Sequence, residues 1–267
     1  MDIKLYDTLD TINKCIAATK GEIGVLWQEI GADKPMFEFA PDRRMASASL
    51  IKVPVMLALL EDVRAGKRRL NDVIRVESGC LLEDSEPFDR GARGATLEEL
   101  LTWMIIVSDN TSTNALIDGI GMEKINAWCA GAGLRDTVLM RKMLDFGAIE
   151  RGMNNYTSAR DQFILFNNLT ENKILTPGLC ATALRIFKKQ RSGDMLLRYI
   201  WEDAEVAHKT GGLDYLCHDA GIFFLPGVAY FLAVLLQGSD RINGDRRLAG
   251  GISRAAYDYY AETRREP

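Results

Sequence analysis

Histidine is nearly absent from this sequence, which has only His208 and His218. A multi-histidine zinc site and an H-E-x-x-H protease are therefore excluded, and no metal or other cofactor is expected. The five cysteines (15, 80, 129, 180 and 217) are scattered, odd in number and never spaced C-x-x-C. They read as reduced core thiols of a cytoplasmic protein. Long apolar runs are also missing. The longest, Ile222 to Leu236, is broken by Pro226-Gly227 and is too short to span a membrane. The opening MDIKLYDTLDTINK has no apolar stretch of leader length. As written the chain is expected to be cytoplasmic, or periplasmic or secreted if a leader has been removed. No basic excess exists: 33 Lys+Arg stand against 37 Asp+Glu, a net charge of −4, so nucleic acid is not an expected partner. There is no G-x-G-x-x-G, no P-loop, no repeat and no low-complexity segment. Gly131-Ala132-Gly133 reads as a helix stop.

What is present fits a globular chain of 267 residues, 47% hydrophobic and 26% charged, long enough for a sizeable core. Helical spacing over 6–19 is followed by two β-like stretches, 22–30 and 35–39. The segment 49–64 is helical and apolar on nearly every side, which predicts burial. Pro54 is tolerated only in a first turn, so that helix starts close to Ser49. Thr96-Leu97-Glu98-Glu99 is a capping box opening a helix to about Val107. Further helices are predicted over 112–119, 122–130, 158–169 and 177–189, the last capped by Thr176. The weakly periodic stretch 136–157 is long enough for a functional loop. Strands over 205–210, 220–225 and 228–235 precede a final helix over 245–264. The β segments lie at both ends of the chain. One sheet domain is therefore expected from residues 1–45 and 191–267, with an all-helical domain over 46–190 and the active site at their junction.

Three short motifs carry chemistry: Ser49-Leu50-Ile51-Lys52, Ser108-Asp109-Asn110 and Lys209-Thr210-Gly211. Chance S-x-x-K matches number ~0.4, but all three motifs together come to ~10⁻³ by the product of residue frequencies. A serine hydroxyl needs a neighbouring base to attack, and Lys52 at i+3 shares a helix face with Ser49. Lysine serves as that base only if its pKa falls, through burial and a second cation, which Lys209 would supply. Ser49 at a helix start also meets the positive end of the dipole. The structural alternative is a cap serine, a surface lysine and an ordinary turn between helices. A lysine among Val53, Val55 and Met56 is costly unless paired.

In this order and spacing the motifs resemble those of the penicillin-recognising serine hydrolases, most closely class A β-lactamases. The resemblance covers most of the chain. It implies an α/β (α+β) fold of β-lactamase/DD-peptidase type, an antiparallel sheet flanked by helices plus an all-α domain. It implies an acyl-enzyme on Ser49, proton relay by Ser108, and Asn110 holding Lys52 and the substrate amide. Lys209, Thr210 and Gly211 bind the substrate, with the Ser49 and Gly212 N–H groups as oxyanion hole. Asp109 is expected to be structural. The implied substrate is a small β-lactam or a related amide or ester, and the oligomeric state is not specified. A D-alanyl-D-alanine peptidase or esterase of the same fold is one alternative. A β-lactam sensor or sink without turnover is another.

The chain departs from the family at two places. Where class A enzymes carry a water-activating glutamate two residues after an arginine, Arg141 is followed by Met143, and Gly147 stands at the usual asparagine. Asp145 is then the candidate for activating water, with Glu150 more distant. No arginine lies between Lys209 and Arg241, so the usual carboxylate anchor is missing or replaced. His218-Asp219 sits near that anchor's place, but adjacent strand residues face opposite ways, so the pair is not itself a relay.

Overall fold

Alternation along four long strands sorts the apolar residues onto two faces of one sheet. The computed structural model describes residues 3–239 and 242–263. In chain order come α1 (Ile3–Ala17), β1 (Glu22–Glu29), β2 (Phe37–Phe39) and β3 (Met45–Ala46). A 3-10 turn over Ala48–Ile51 leads into α2 (Lys52–Arg64). Then follow β4 (Val73–Arg75), α3 (Glu86–Asp89), β5 (Gly94–Thr96), α4 (Leu97–Ile106), α5 (Asn110–Ile120) and α6 (Met122–Gly131). After α7 (Phe146–Glu150), β6 (Tyr156–Thr157), α8 (Ala159–Thr170) and α9 (Pro177–Phe187), the chain returns as β7 (Glu205–Leu213), β8 (Leu216–Leu225) and β9 (Val228–Gln237). It closes with α10 (Ile242–Thr263). The expected last helical residue, Arg264, lies outside the described residues, as do the outer limits 1 and 267 of the expected division.

The sheet is antiparallel in the order β2-β1-β9-β8-β7. β1, from the N-terminal end, pairs over its whole length with β9. One face carries Val25, Trp27, Tyr230, Leu232 and Val234 and packs under α1 and α10. The other carries Leu26, Ala220, Ile222, Phe231 and Leu235 and packs on the central helices. Burial on both faces makes β9 read as a nearly continuous apolar run. α2 is buried from Lys52 through Leu60, as an all-round apolar helix must be.

Several expectations shift. β8 begins at Leu216, so His218 and Asp219 are strand residues. The Asp214-Tyr215 turn before them lacks the glycine or asparagine that signals a tight hairpin. α10 begins three residues before the expected Asp245. Cys129, Cys180 and Cys217 are buried, but Cys80 is exposed and Cys15 only half-buried, so not all five thiols are core residues. The long stretch after Asp136 is organised by α7 and by β6, which pairs with β3. Among the described residues no helix is long and apolar enough to cross a membrane.

Candidate active site

Ser49 lies in the 3-10 turn and Lys52 is the first residue of α2. Residues i and i+3 eclipse in a 3-10 turn, a tighter geometry than the α-helix the spacing predicts. Lys52 is wholly buried. Its Nζ donates to the Ser108 carbonyl (2.5 Å) and to Asn110 Oδ1 (2.8 Å) and lies 3.0 Å from Ser108 Oγ. Lys209, equally buried on β7, reaches Ser108 Oγ at 3.1 Å and the Thr210 carbonyl at 2.7 Å.

The Ser108 turn is held from both sides. Asp109 is the buried N-cap of α5 and accepts from Ser112 N at 2.5 Å. Ser85 donates its hydroxyl to the other Asp109 oxygen, and Asp109 N donates to the Trp103 carbonyl. Ser108 is left in the left-handed region, φ +58°. For a residue other than glycine that conformation is strained, and here it delivers a hydroxyl between two amines.

Burial pushes the Lys52 amine well below its ordinary pKa, and the neighbouring Lys209 charge pushes it further, against a smaller opposing pull from Asp109. Burial also lowers Lys209, to about 7, with Asp219 pulling the other way. Both buried amines are therefore held below the ordinary lysine range.

β7 is an edge strand, so one row of its backbone groups is free to meet a ligand. Gly211 lets it approach the turn that carries Ser49: a Cβ there would stand 3.2 Å from both Ser49 N and the Ser47 carbonyl. Ser49, Asn110 and Gly212 line two adjoining cavities. The larger, about 320 Å³, is polar and includes Ser108, Thr210, Gly211, Asp194 and Arg246. The smaller, about 80 Å³, lies against Arg141, Met143, Leu144, Phe146 and Leu213. The structure thus brings together Ser49, Lys52, Ser108, Asn110, Lys209, Thr210, Gly211 and Gly212.

Asp145 is placed differently. It is exposed and caps α7, accepting from Ala148 N at 2.9 Å, and it does not line either cavity. A side chain that caps its own helix is committed locally, and Glu150 at the far end of the same helix is exposed. Met143 is buried and lines the smaller cavity, and its backbone is clasped by Asn114 through both amide atoms (2.8 and 3.1 Å).

The histidines are outside the cleft. His218 is buried, donating from Nε2 to the Ala46 carbonyl (2.8 Å) and accepting at Nδ1 from Leu236 N (3.1 Å); burial lowers its pKa to about 4. His208 pairs with Asp219 at 2.8 Å. Strand alternation puts it on the face of β7 opposite Lys209. The residue the sequence did not single out is Arg246. It enters the polar cavity from α10 and is ion-paired to Asp194. Nothing in the local pattern Asp245-Arg246-Arg247 distinguishes it from a solvated helix face.

The chain matches the model of the Beta-lactamase enzyme family over residues 7–260. It is similar to β-lactamase CTX-M-4 of Salmonella typhimurium, 27% identical over 199 residues, covering 73% of this chain and 68% of that protein. It is also similar to the D-alanyl-D-alanine carboxypeptidase DacF of Bacillus subtilis strain 168, 26% identical over 150 residues. That match covers 54% of this chain and 37% of DacF's length. Among solved structures, a β-lactamase from Sphaerobacter thermophilus superposes with a TM-score of 0.85 at 28% identity, covering 96% of this chain and 97% of that one.

Proposed function

The chain belongs to the β-lactamase enzyme family, and on that premise we propose that it is a serine hydrolase that opens β-lactams through an acyl-enzyme on Ser49. One observation carries this reading: two buried amines share the Ser108 hydroxyl beside a cleft that Ser49 lines.

Neutral Lys52 takes the Ser49 proton as Oγ bonds to the carbonyl carbon. The Ser49 and Gly212 N–H groups hold the oxyanion. The carbon–nitrogen bond then breaks. Ser108 gives its proton to the leaving nitrogen and regains one from Lys52, which ends neutral as it began. Lys209, Thr210 and Arg246 hold the substrate's carboxylate, with Arg246 supplying the cation missing from the strand after Lys209. In the expected division into a sheet unit (1–45 and 191–267) and a helical unit (46–190), Ser49 lies on one side of the cleft and β7 on the other.

Deacylation is the slow half. Met143 lines the smaller cavity where a carboxylate would activate water, and a thioether cannot accept that proton. This favours a second reading at the same site, a protein that acylates readily and turns over little. Nitrocefin turnover measured beside the intact mass of penicillin-treated protein tests both. Hydrolysis supports the lactamase, and a persistent single adduct supports the sink. No adduct and no hydrolysis overturns both and leaves a peptidase or esterase of this fold to be tried with D-alanyl-D-alanine peptides and simple esters.

A further inference from the structure

The cleft beside Ser49 has two unlike halves. On the β7 side its lining is hydroxyls, Asp194 and Arg246. On the loop side Met143, Leu144, Phe146 and Leu213 make the wall. Two of these are unusually open for their type: Leu144 is 40% and Phe146 57% exposed. Single exposed apolar residues need no explanation, but a contiguous group in a cavity beside a nucleophile does.

The wall is also built to keep its shape. Asn114 clasps the Met143 backbone from α5. Asn155 Oδ1 accepts from Met140 N (2.8 Å) and Arg141 N (3.0 Å). Asp145 caps α7, whose first residue is Phe146. Leu144 itself is held at φ +60°, a conformation that costs a leucine and persists only where the surroundings impose it. Arg141, which lines the smaller cavity, directs Nε to Asn154 Oδ1 (3.0 Å) and Nη1 to the Lys142 carbonyl (2.9 Å).

We propose that this wall selects substrates whose acyl side chain is apolar and aromatic, with Leu144 and Phe146 as the specificity-determining residues. The inference rests on the acyl-enzyme reading above. With the carboxylate end in the polar half, the acyl substituent of a substrate on Ser49 falls to the loop half. A preformed apolar surface there binds a ring without the cost of ordering a loop. A charged substituent would lose its hydration against it.

The test compares acylation efficiency, read by intact mass, for three penams that share one nucleus. These are 6-aminopenicillanic acid, which lacks the acyl group, benzylpenicillin, and carbenicillin, which adds one carboxylate to the benzyl side chain. Benzylpenicillin should exceed both by about 10-fold or more, the discrimination an apolar pocket supplies. Phe146→Ser should cut the benzylpenicillin to 6-aminopenicillanic acid ratio several-fold, and Leu144→Asn should do the same while keeping a residue suited to the left-handed backbone. Labelling of Ser49 at similar rates by all three penams overturns the specificity alone. Carbenicillin reacting as fast as benzylpenicillin or faster overturns it in favour of an acid-binding role for Arg141. Failure of every penam to label Ser49 overturns the underlying reading as well.

Discussion

Lys52 and Lys209 reach one hydroxyl from two elements: the amine on α2 stands 3.0 Å, and the amine on β7 3.1 Å, from Ser108 Oγ. Two cations so close and so buried cannot both keep their protons cheaply. Burial lowers both amines, and the Lys209 charge lowers Lys52 further.

Acylation of an anionic penicillin should fall as pH rises through about 7, because Lys209 loses the charge that holds the carboxylate. Stability should move the other way. Lys209 binds its proton more weakly folded than unfolded, where its pKa is near 10.5. Between those values the unfolded chain holds more proton, so this group's cost is full below about 7 and is relieved as pH rises toward 10.5. The Tm of wild type minus that of Lys209→Met should therefore climb across this window. A flat difference would show that folded Lys209 stays charged, like the unfolded lysine, across this window.

Ser108→Gly removes the shared hydroxyl and accepts the left-handed backbone without strain. Acylation should drop by about 10²–10⁴-fold, the range for losing a proton-transfer group. Stability should not fall, and a gain of up to about 1 kcal/mol is expected from the relieved conformation. Urea unfolding beside acylation kinetics reads both. A clear loss of stability would mean that the Ser108 side chain, not its backbone, holds the turn.

Ser49→Ala should abolish penicillin labelling and leave a folded protein. Lys52→Ala should slow acylation by about 10²–10⁴-fold. Mass spectrometry follows the first and stopped-flow the second. Labelling of the Ala variant at the wild-type rate, or an acylation rate within a factor of two after Lys52 is lost, contradicts these roles.

Turnover of a good β-lactam should show a burst of one equivalent and then a slow phase. Met143→Glu places a carboxylate in the cleft and should quicken the slow phase. Asp145→Asn should leave it unchanged, since Asn also caps a helix and Asp145 does not line the cavities. Slower deacylation in the Asn variant would reinstate Asp145 as the water-activating group.

Arg246 and Asp194 are partners in the polar half of the cleft. Arg246→Ala should raise KM for carboxylate-bearing β-lactams about 10-fold while changing kcat little, as loss of uniform binding does. Asp194→Asn frees the guanidinium and should lower KM. Unchanged KM in both variants would remove Arg246 from substrate binding.

Much of this protein is legible in one dimension. Ser49, Lys52, Ser108 and Lys209 stand in short motifs that can be read directly from the sequence, and the apolar pattern marks α2 as buried because an all-round apolar helix has nowhere else to go. Capping by Thr96 and Asp109 is local, so the sequence states it directly. Whatever depends on approach between distant segments was settled only by folding. Asp145 looks like a free carboxylate in sequence. Only the backbone path at 144–148 turns its oxygen onto Ala148 N. Arg246 is one surface arginine among many until packing of α10 against the sheet carries it to β7 from the far end of the chain. The sharing of one hydroxyl by two lysines 157 residues apart in sequence is likewise a property of the closed fold, because proximity between remote side chains is set by how the helices and sheet pack and not by any local propensity.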